Sequence, residues 1–164
     1  MKPWQYFEQQ ITTANDFYRR KGWGAIEKIP NDMKTIRMNG RMMSVPSGKT
    51  GCDFIGVYKG VSVAIEAKST QKKSLPLMAQ NGPMIKDHQV KFLKDFQQSG
   101  GKAFLIVKFV TVNRCFLLSI DEYSELKLKA LERNRKSIPI ADFAGHQVNE
   151  RGYILDYLQG VDLE

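Results

Sequence analysis

The 164 residues carry 25 Lys and Arg against 17 Asp and Glu, a formal charge of +8, and are 42% apolar and 10% aromatic. A chain of that size and composition suits one domain with an adequate core and excludes disordered and collagen-like classes. No apolar run approaches the roughly 20 residues that cross a bilayer, and the opening Met-Lys-Pro-Trp has no apolar signal segment, so a soluble, cytoplasmic protein is expected.

Trp4, Phe7, Ile11, Ala14 and Tyr18 step by three and four, which predicts an amphipathic helix ending before Gly22, with Glu8 beside its apolar stripe. A short strand is expected over 25–29, running into Pro30. The stretch from Asn31 to Gly51 has no clean period and holds Lys34, Arg37, Arg41 and Lys49 against the single acid Asp32, so it reads as a loop or protruding hairpin. Strands are expected over 52–58 and 61–68, joined by Lys59-Gly60. Leu75-Pro76-Leu77 reads as a connecting loop. Pro83 is expected to open a helix with Ile85, Gln89, Phe92 and Phe96 on one face, stopped by Gly100-Gly101. The continuous apolar run 103–110 predicts a strand buried on both faces, parallel to a neighbour through a crossover helix. A strand over 116–120 and a helix capped by Asp121 and reaching about Arg135 follow, then a less legible C-terminal segment. The sum is a mixed sheet with helices on its faces.

Charge is unevenly spread, with nets of +5 over residues 1–50, +7 over 51–136 and −4 over 137–164. A basic body points to a polyanionic partner, although solvated surface lysines give the same count. Cys52 and Cys115 form no C-x-x-C pair, and with His88 and His146 they lack regular zinc spacing, so buried thiols and ordinary histidines are expected.

The chemistry lies in the hairpin. With a two-residue turn at Lys59-Gly60, Asp53 falls opposite Glu66, and Lys68 points to the same face. A four-residue loop keeps the carboxylates together, whereas a three-residue loop sets Asp53 against Ile65. Opposed carboxylates repel, and a shared proton or a bound cation relieves the repulsion; oxygen ligands favour Mg²⁺ or Mn²⁺. Such an ion beside an ammonium makes a phosphodiester-hydrolysing site. The bland alternative is a strand start and two exposed polar residues.

Asp53, followed thirteen residues on by Glu66-Ala67-Lys68, resembles the Asp…Glu-x-Lys core of the restriction-endonuclease-like nucleases. A longer run resembles the RecU family of Holliday junction resolvases. It comprises Phe7-Glu8, Asn15 to Tyr18, Lys28-Ile29-Pro30, Asp53 to Gly60, Glu66-Ala67-Lys68, Ser74 to Leu77, His88-Gln89, Gly100-Gly101, Lys136-Ser137-Ile138 and Asp156-Tyr157-Leu158. The resemblance implies a single restriction-endonuclease-like α/β nuclease domain over residues 1–164, with a mixed β-sheet flanked by helices and a stalk insertion over 31–51. It also implies a homodimeric, Mg²⁺-dependent endonuclease that makes paired nicks in four-way DNA junctions during recombination and repair. By position, Asp53 and Glu66 would be metal ligands, Lys68 the catalytic lysine, Glu8 the helix-borne acid, and Gln89 a residue near the site.

The family's bacterial members commonly carry a long basic N-terminal extension; this sequence opens almost at the first helix, so contacts from such an arm are not expected. The stalk segment has little similarity to the family's, and Cys52 stands where proline or threonine is often found, a change that leaves ligation intact. Lys34, Arg37, Arg41 and Lys49, interleaved in part with Met33, Met38, Met42 and Met43, are expected phosphate contacts around an apolar wedge, a dimer contact or a disordered loop being the alternative. Lys72 and Lys73 are expected backbone contacts. Arg19, Arg20 and Lys21 are equally explained by the helix dipole. His88 reads as a surface residue, and Tyr18, Trp23 and 104–109 as core. Competing functions are a flap, branched-DNA or duplex endonuclease of the same fold, and a non-catalytic junction-binding recombination protein.

Overall fold

A computed structural model describes residues 1–31, 33–46 and 48–164; Asp32 and Ser47 of the expected stalk lie outside the described residues. Helix α1 (Pro3–Arg20) buries Phe7, Ile11, Ala14, Asn15 and Tyr18, while Trp4 is exposed because the apolar face begins one turn later. Strands β1 (Gly24–Lys28), β4 (Phe54–Tyr58) and β5 (Val61–Thr70) form an antiparallel run. The sheet is completed by β9 (Lys102–Phe109), parallel to β5, and β10 (Arg114–Ser119), antiparallel to β9, giving the order β1-β4-β5-β9-β10.

Between β1 and β4 the chain leaves the sheet as a separate hairpin, β2 (Met33–Met38) and β3 (Arg41–Pro46). The segment read as a loop or hairpin is thus a hairpin. Its turn is Asn39-Gly40, both at positive φ (51° and 75°), as a two-residue type I′ connection requires. The β4–β5 hairpin turns the same way at Lys59-Gly60 (φ 47° and 83°), and Tyr58 pairs with Val61, so the two-residue register holds. Lys59 adopts this left-handed conformation with its ammonium over Trp23 and Tyr58, 5.2 and 5.3 Å from the ring centres.

Helix α2 (Asp87–Gln98) begins four residues later than the sequence suggests, because Pro83 ends a two-residue strand, β8 (Gly82–Pro83), paired with β7 (Met78–Ala79). The loop expected at 75–77 begins instead with β6 (Ser74–Pro76), which pairs with the distant β11 (Ser137–Pro139). Helix α3 (Ile120–Glu132) is capped by Ser119, not Asp121. The Ser119 hydroxyl accepts from the Glu122 N–H while the Glu122 carboxylate accepts from the Ser119 N–H, a reciprocal box two residues earlier than expected.

The two sheet faces have different covers. One packs α1 and the C-terminal hairpin β12 (Asn149–Arg151) and β13 (Ile154–Asp156) over Phe54, Val63, Ile65, Phe104 and Ile106. The other packs α2 and α3 over Ala64, Leu105, Val107 and Leu118. β9 sits between them with seven of its eight residues buried. Gly51 matters here, since a Cβ would lie 2.3 Å from the Phe92 ring; only glycine lets α2 settle against the approach to β4. Both cysteines are buried and free. Among the described residues no helix is long and apolar enough to cross a membrane.

Candidate active site

Asp53 lies one residue before β4, yet its backbone is held on both sides. The Ile29 N–H donates to its carbonyl (2.8 Å), and its own N–H donates to the Ile65 carbonyl (3.0 Å). This bracing between β1 and β5 fixes where the side chain starts. Its Oδ2 accepts from the Ala67 N–H at 2.8 Å, across the strand that carries Glu66.

Glu66 is fully buried. Its Oε1 takes the Lys68 ammonium at 2.8 Å and the Gln89 amide N–H at 2.7 Å. Gln89 cannot turn over: its Oε1 accepts from the Lys86 N–H (3.0 Å) at the start of α2, so its NH₂ must point at Glu66. The first turn of α2 therefore aims a donor at Glu66 on β5. The second oxygen, Glu66 Oε2, is buried with no hydrogen-bond partner. Such an orphan costs free energy unless something else completes it.

Burial, then the charge of Asp53, pushes the Glu66 carboxyl up to about 7, against the pull of Lys68 and Gln89. Asp53 is also raised, chiefly by burial and further by the Glu8 charge, with the Ala67 N–H, Lys68 and Lys28 opposing. Two carboxyls that burial and neighbouring acids both hold against ionisation form a site suited to exchanging protons for a cation. Among the described residues no group of three or more His, Cys, Asp and Glu side chains has metal-holding geometry, so the protein offers a pair of carboxylates rather than a closed cage.

Spacing alone did not place Glu8, but α1 packs on β1 and β5, and Glu8 forms an ion pair with Lys28 at the end of β1, next to Phe54 of β4. The approach of Lys28 to Glu8 and Asp53 was not read from the sequence. Its signal was the pairing register that puts the end of β1 beside the start of β4.

The expected DNA contacts lie outside this cluster. Lys34, Arg37 and Arg41 are exposed on the β2–β3 stalk, Lys49 is exposed between the stalk and Asp53, and Lys72 and Lys73 are exposed just past β5. On the stalk, Arg37 opposes Met42 and Arg41 opposes Met38 on alternate faces, so each face of the tip carries a guanidinium beside a methionine. His88 is half-buried on α2. Tyr18 is core as expected, while Trp23 is only partly buried and lies under Lys59 and Arg151.

The sequence matches the family described as Recombination protein U over residues 4–163, nearly the whole chain. The chain belongs to the RecU family. The Holliday junction resolvase RecU of Pediococcus pentosaceus is 29% identical over 158 residues, covering 92% of this chain and 74% of that one. RecU resolvases of Geobacillus sp. and Staphylococcus aureus are 28% and 29% identical over 167 and 174 residues, each covering 94% of this chain and 80% and 77% of their own. The solved structure of the Holliday junction resolvase Hjc of Archaeoglobus fulgidus aligns over 74% of this chain and 75% of its own, with a TM-score of 0.42 and 16% identity. Within the RecU frame, Asp53, Glu66 and Lys68 occupy one hairpin, as the sequence pattern required.

Proposed function

We propose that this RecU chain is a cytoplasmic, homodimeric endodeoxyribonuclease that resolves four-way DNA junctions by paired, Mg²⁺-dependent phosphodiester hydrolysis. The observation that carries the reading is the unpartnered, buried Glu66 Oε2 in the presence of the second carboxylate, Asp53. An oxygen with no donor, on a group that desolvation and a neighbouring anion hold against ionisation, is suited to a hard divalent cation. Asp53 and Glu66 would hold it, with Mn²⁺ able to substitute. When bound, the ion supplies a Lewis acid for the phosphoryl oxygen and an acidified water.

The chain's own groups divide the remaining work. The Lys68 ammonium, held on Glu66 Oε1, orients the nucleophile and neutralises charge that develops on the phosphate. Gln89 fixes the Glu66 carboxylate so that Oε2 stays free. Glu8, tethered to Lys28, is the helix-borne acid that holds a water or a further edge of the site. Lys34, Arg37 and Arg41 grip phosphates on both faces of the stalk, with Met38 and Met42 as a wedge at the open centre of the junction. Lys49, Lys72 and Lys73 contact backbone near the cut.

The test compares a labelled four-way junction with a linear duplex of the same sequence, in Mg²⁺ or EDTA, for the parent protein and Asp53→Asn. Paired nicks confined to the junction, abolished by EDTA and in Asp53→Asn, are expected. Equal cutting of duplex or forked DNA would replace resolution with a broader nuclease activity. Tight junction binding without cutting in Mg²⁺ or Mn²⁺ would leave only a binding protein.

A further inference from the structure

Past the active site, β5 releases the chain at Thr70, whose hydroxyl accepts from the Lys72 N–H (3.1 Å). Lys72 and Lys73 then lead into β6. At the end of α3, Asn134 turns the chain at positive φ (53°), and Arg135-Lys136 lead into β11. The β6–β11 pairing draws these two segments together: Ser137 faces Pro76, the Leu77 N–H donates to the Lys136 carbonyl (3.0 Å), and the Ile140 N–H donates to the Lys73 carbonyl (3.2 Å). Four exposed cations are thus held together by backbone bonds between segments more than sixty residues apart. Beside them runs a cleft of about 620 Å³ lined by Lys72, Arg135 and Lys136 around Pro76, Met78 and Leu131, with no acidic residue in its wall.

Among the described residues none of these four is in an ion pair, whereas Arg19, Lys28 and Lys91 are, so the cluster keeps its charge as most of the surface cations do. Like charges fixed side by side repel, and a polyanion laid across them relieves that repulsion while releasing its counterions. Position selects the polyanion. Lys72 follows Lys68 by four residues, at most roughly 13 Å of extended chain, about four base steps of DNA rise. The stalk leaves the sheet between β1 and β4, while α3 packs on β9 and β10, so the stalk cations and this cluster flank Glu66 on opposite sides of β5. A second copy docked with its two-fold axis through this cluster would set the same cations against one another.

We infer that Arg135 and Lys136, with Lys72 and Lys73, form a phosphate track that holds the duplex arm leading away from the cut, on the flank opposite the stalk. The inference rests on the nuclease reading and extends it from Lys72 and Lys73 to Arg135 and Lys136, which that reading does not use. Exposed Met78 and Leu131 give the deoxyribose edge an apolar surface to lie on.

The experiment measures junction affinity in EDTA across 50 to 200 mM salt for the parent, Arg135→Gln/Lys136→Gln, and Lys21→Gln/Lys59→Gln, the last removing the same charge at the other end of the sheet. Loss of two phosphate contacts makes the log–log salt slope shallower by about 1.8, so the parent loses roughly tenfold more affinity than the Arg135/Lys136 variant over that range. The control pair keeps the parent slope. Arg135→Gln, a single exposed change, is expected to show about half the effect and answers for the track if the double variant folds poorly. A parent that cuts junctions, with variant slopes equal to its own, overturns the track and leaves the cleft to an acidic protein segment. A parent that neither binds nor cuts junctions overturns the nuclease reading, and the track with it.

Discussion

Glu66 is where sequence and physics meet most closely. A carboxyl pushed from its usual 4.5 up to about 7 binds its proton more tightly in the folded chain than in the unfolded one. The stability it contributes is complete below about pH 4.5 and is lost as pH rises through about 7, where the buried group must ionise. Glu66→Gln removes that penalty. In EDTA the variant should therefore be more stable than the parent at pH 8, by roughly 1–3 kcal/mol, and nearly equal to it at pH 5. Thermal melts at the two pH values decide this; a gap that is constant or reversed would mean burial is not what strains the group. Cleavage by the variant should be lost at both, since an amide cannot replace the carboxylate toward a cation. At this scale the sequence was legible for Asp53, Glu66 and Lys68, because strand alternation and one turn length settle their faces. Gln89 and Glu8 came only from resemblance. Their approach depends on how α2 and α1 pack, and no spacing within the hairpin encodes that.

Among the elements, the stalk is the one built without a core. Its residues are exposed apart from half-buried Ile36 and Val45, among those whose burial is described, and its substantial contacts are between its own two strands. The ends it leaves are already close, since Lys28 pairs with Phe54. Replacing residues 33–46 with a short Gly-Ser linker should thus leave the melting temperature within about 2 °C of the parent. Junction selectivity should disappear while nicking of DNA persists, because Asp53 keeps its bonds to Ile29 and Ile65. A variant that melts much earlier, or that still prefers four-way junctions over linear duplex by the parent's margin, would refute this division of labour. The Asn39-Gly40 pair was a readable turn signal inside a stretch otherwise without period. By contrast, β6 and β11 were illegible, being three residues each and pairing across some sixty positions. The start of α3 was displaced because Asp121 is also a good cap, and only the reciprocal Ser119–Glu122 bonds choose between them.

For the molecule as a whole, the least legible segment holds the site together. The C-terminal Asp156-Tyr157-Leu158 closes on α1: the Tyr18 hydroxyl donates to Asp156 Oδ1 (2.9 Å) and accepts from the Leu158 N–H (3.0 Å), while the Tyr157 hydroxyl donates to Asn15. Burial raises both phenols well above their usual range, so they remain donors at every working pH. Arg151 supplies the remaining charge to buried Asp156. Because α1 carries Glu8, residues nearly 140 positions away hold one edge of the proposed site against the sheet. Tyr18→Phe leaves the Leu158 N–H without its acceptor and Asp156 short of a donor, at a cost of roughly 1–3 kcal/mol. Calorimetry without metal should show a melting temperature lower by roughly 3–10 °C, whereas Tyr153→Phe, at a position 87% exposed, should show none of that loss. Well below its melting point the Tyr18 variant should still cut junctions, since no group that meets DNA has changed. An unchanged melting temperature would mean that apolar packing alone seats α1, and that these buried hydrogen bonds add nothing to it.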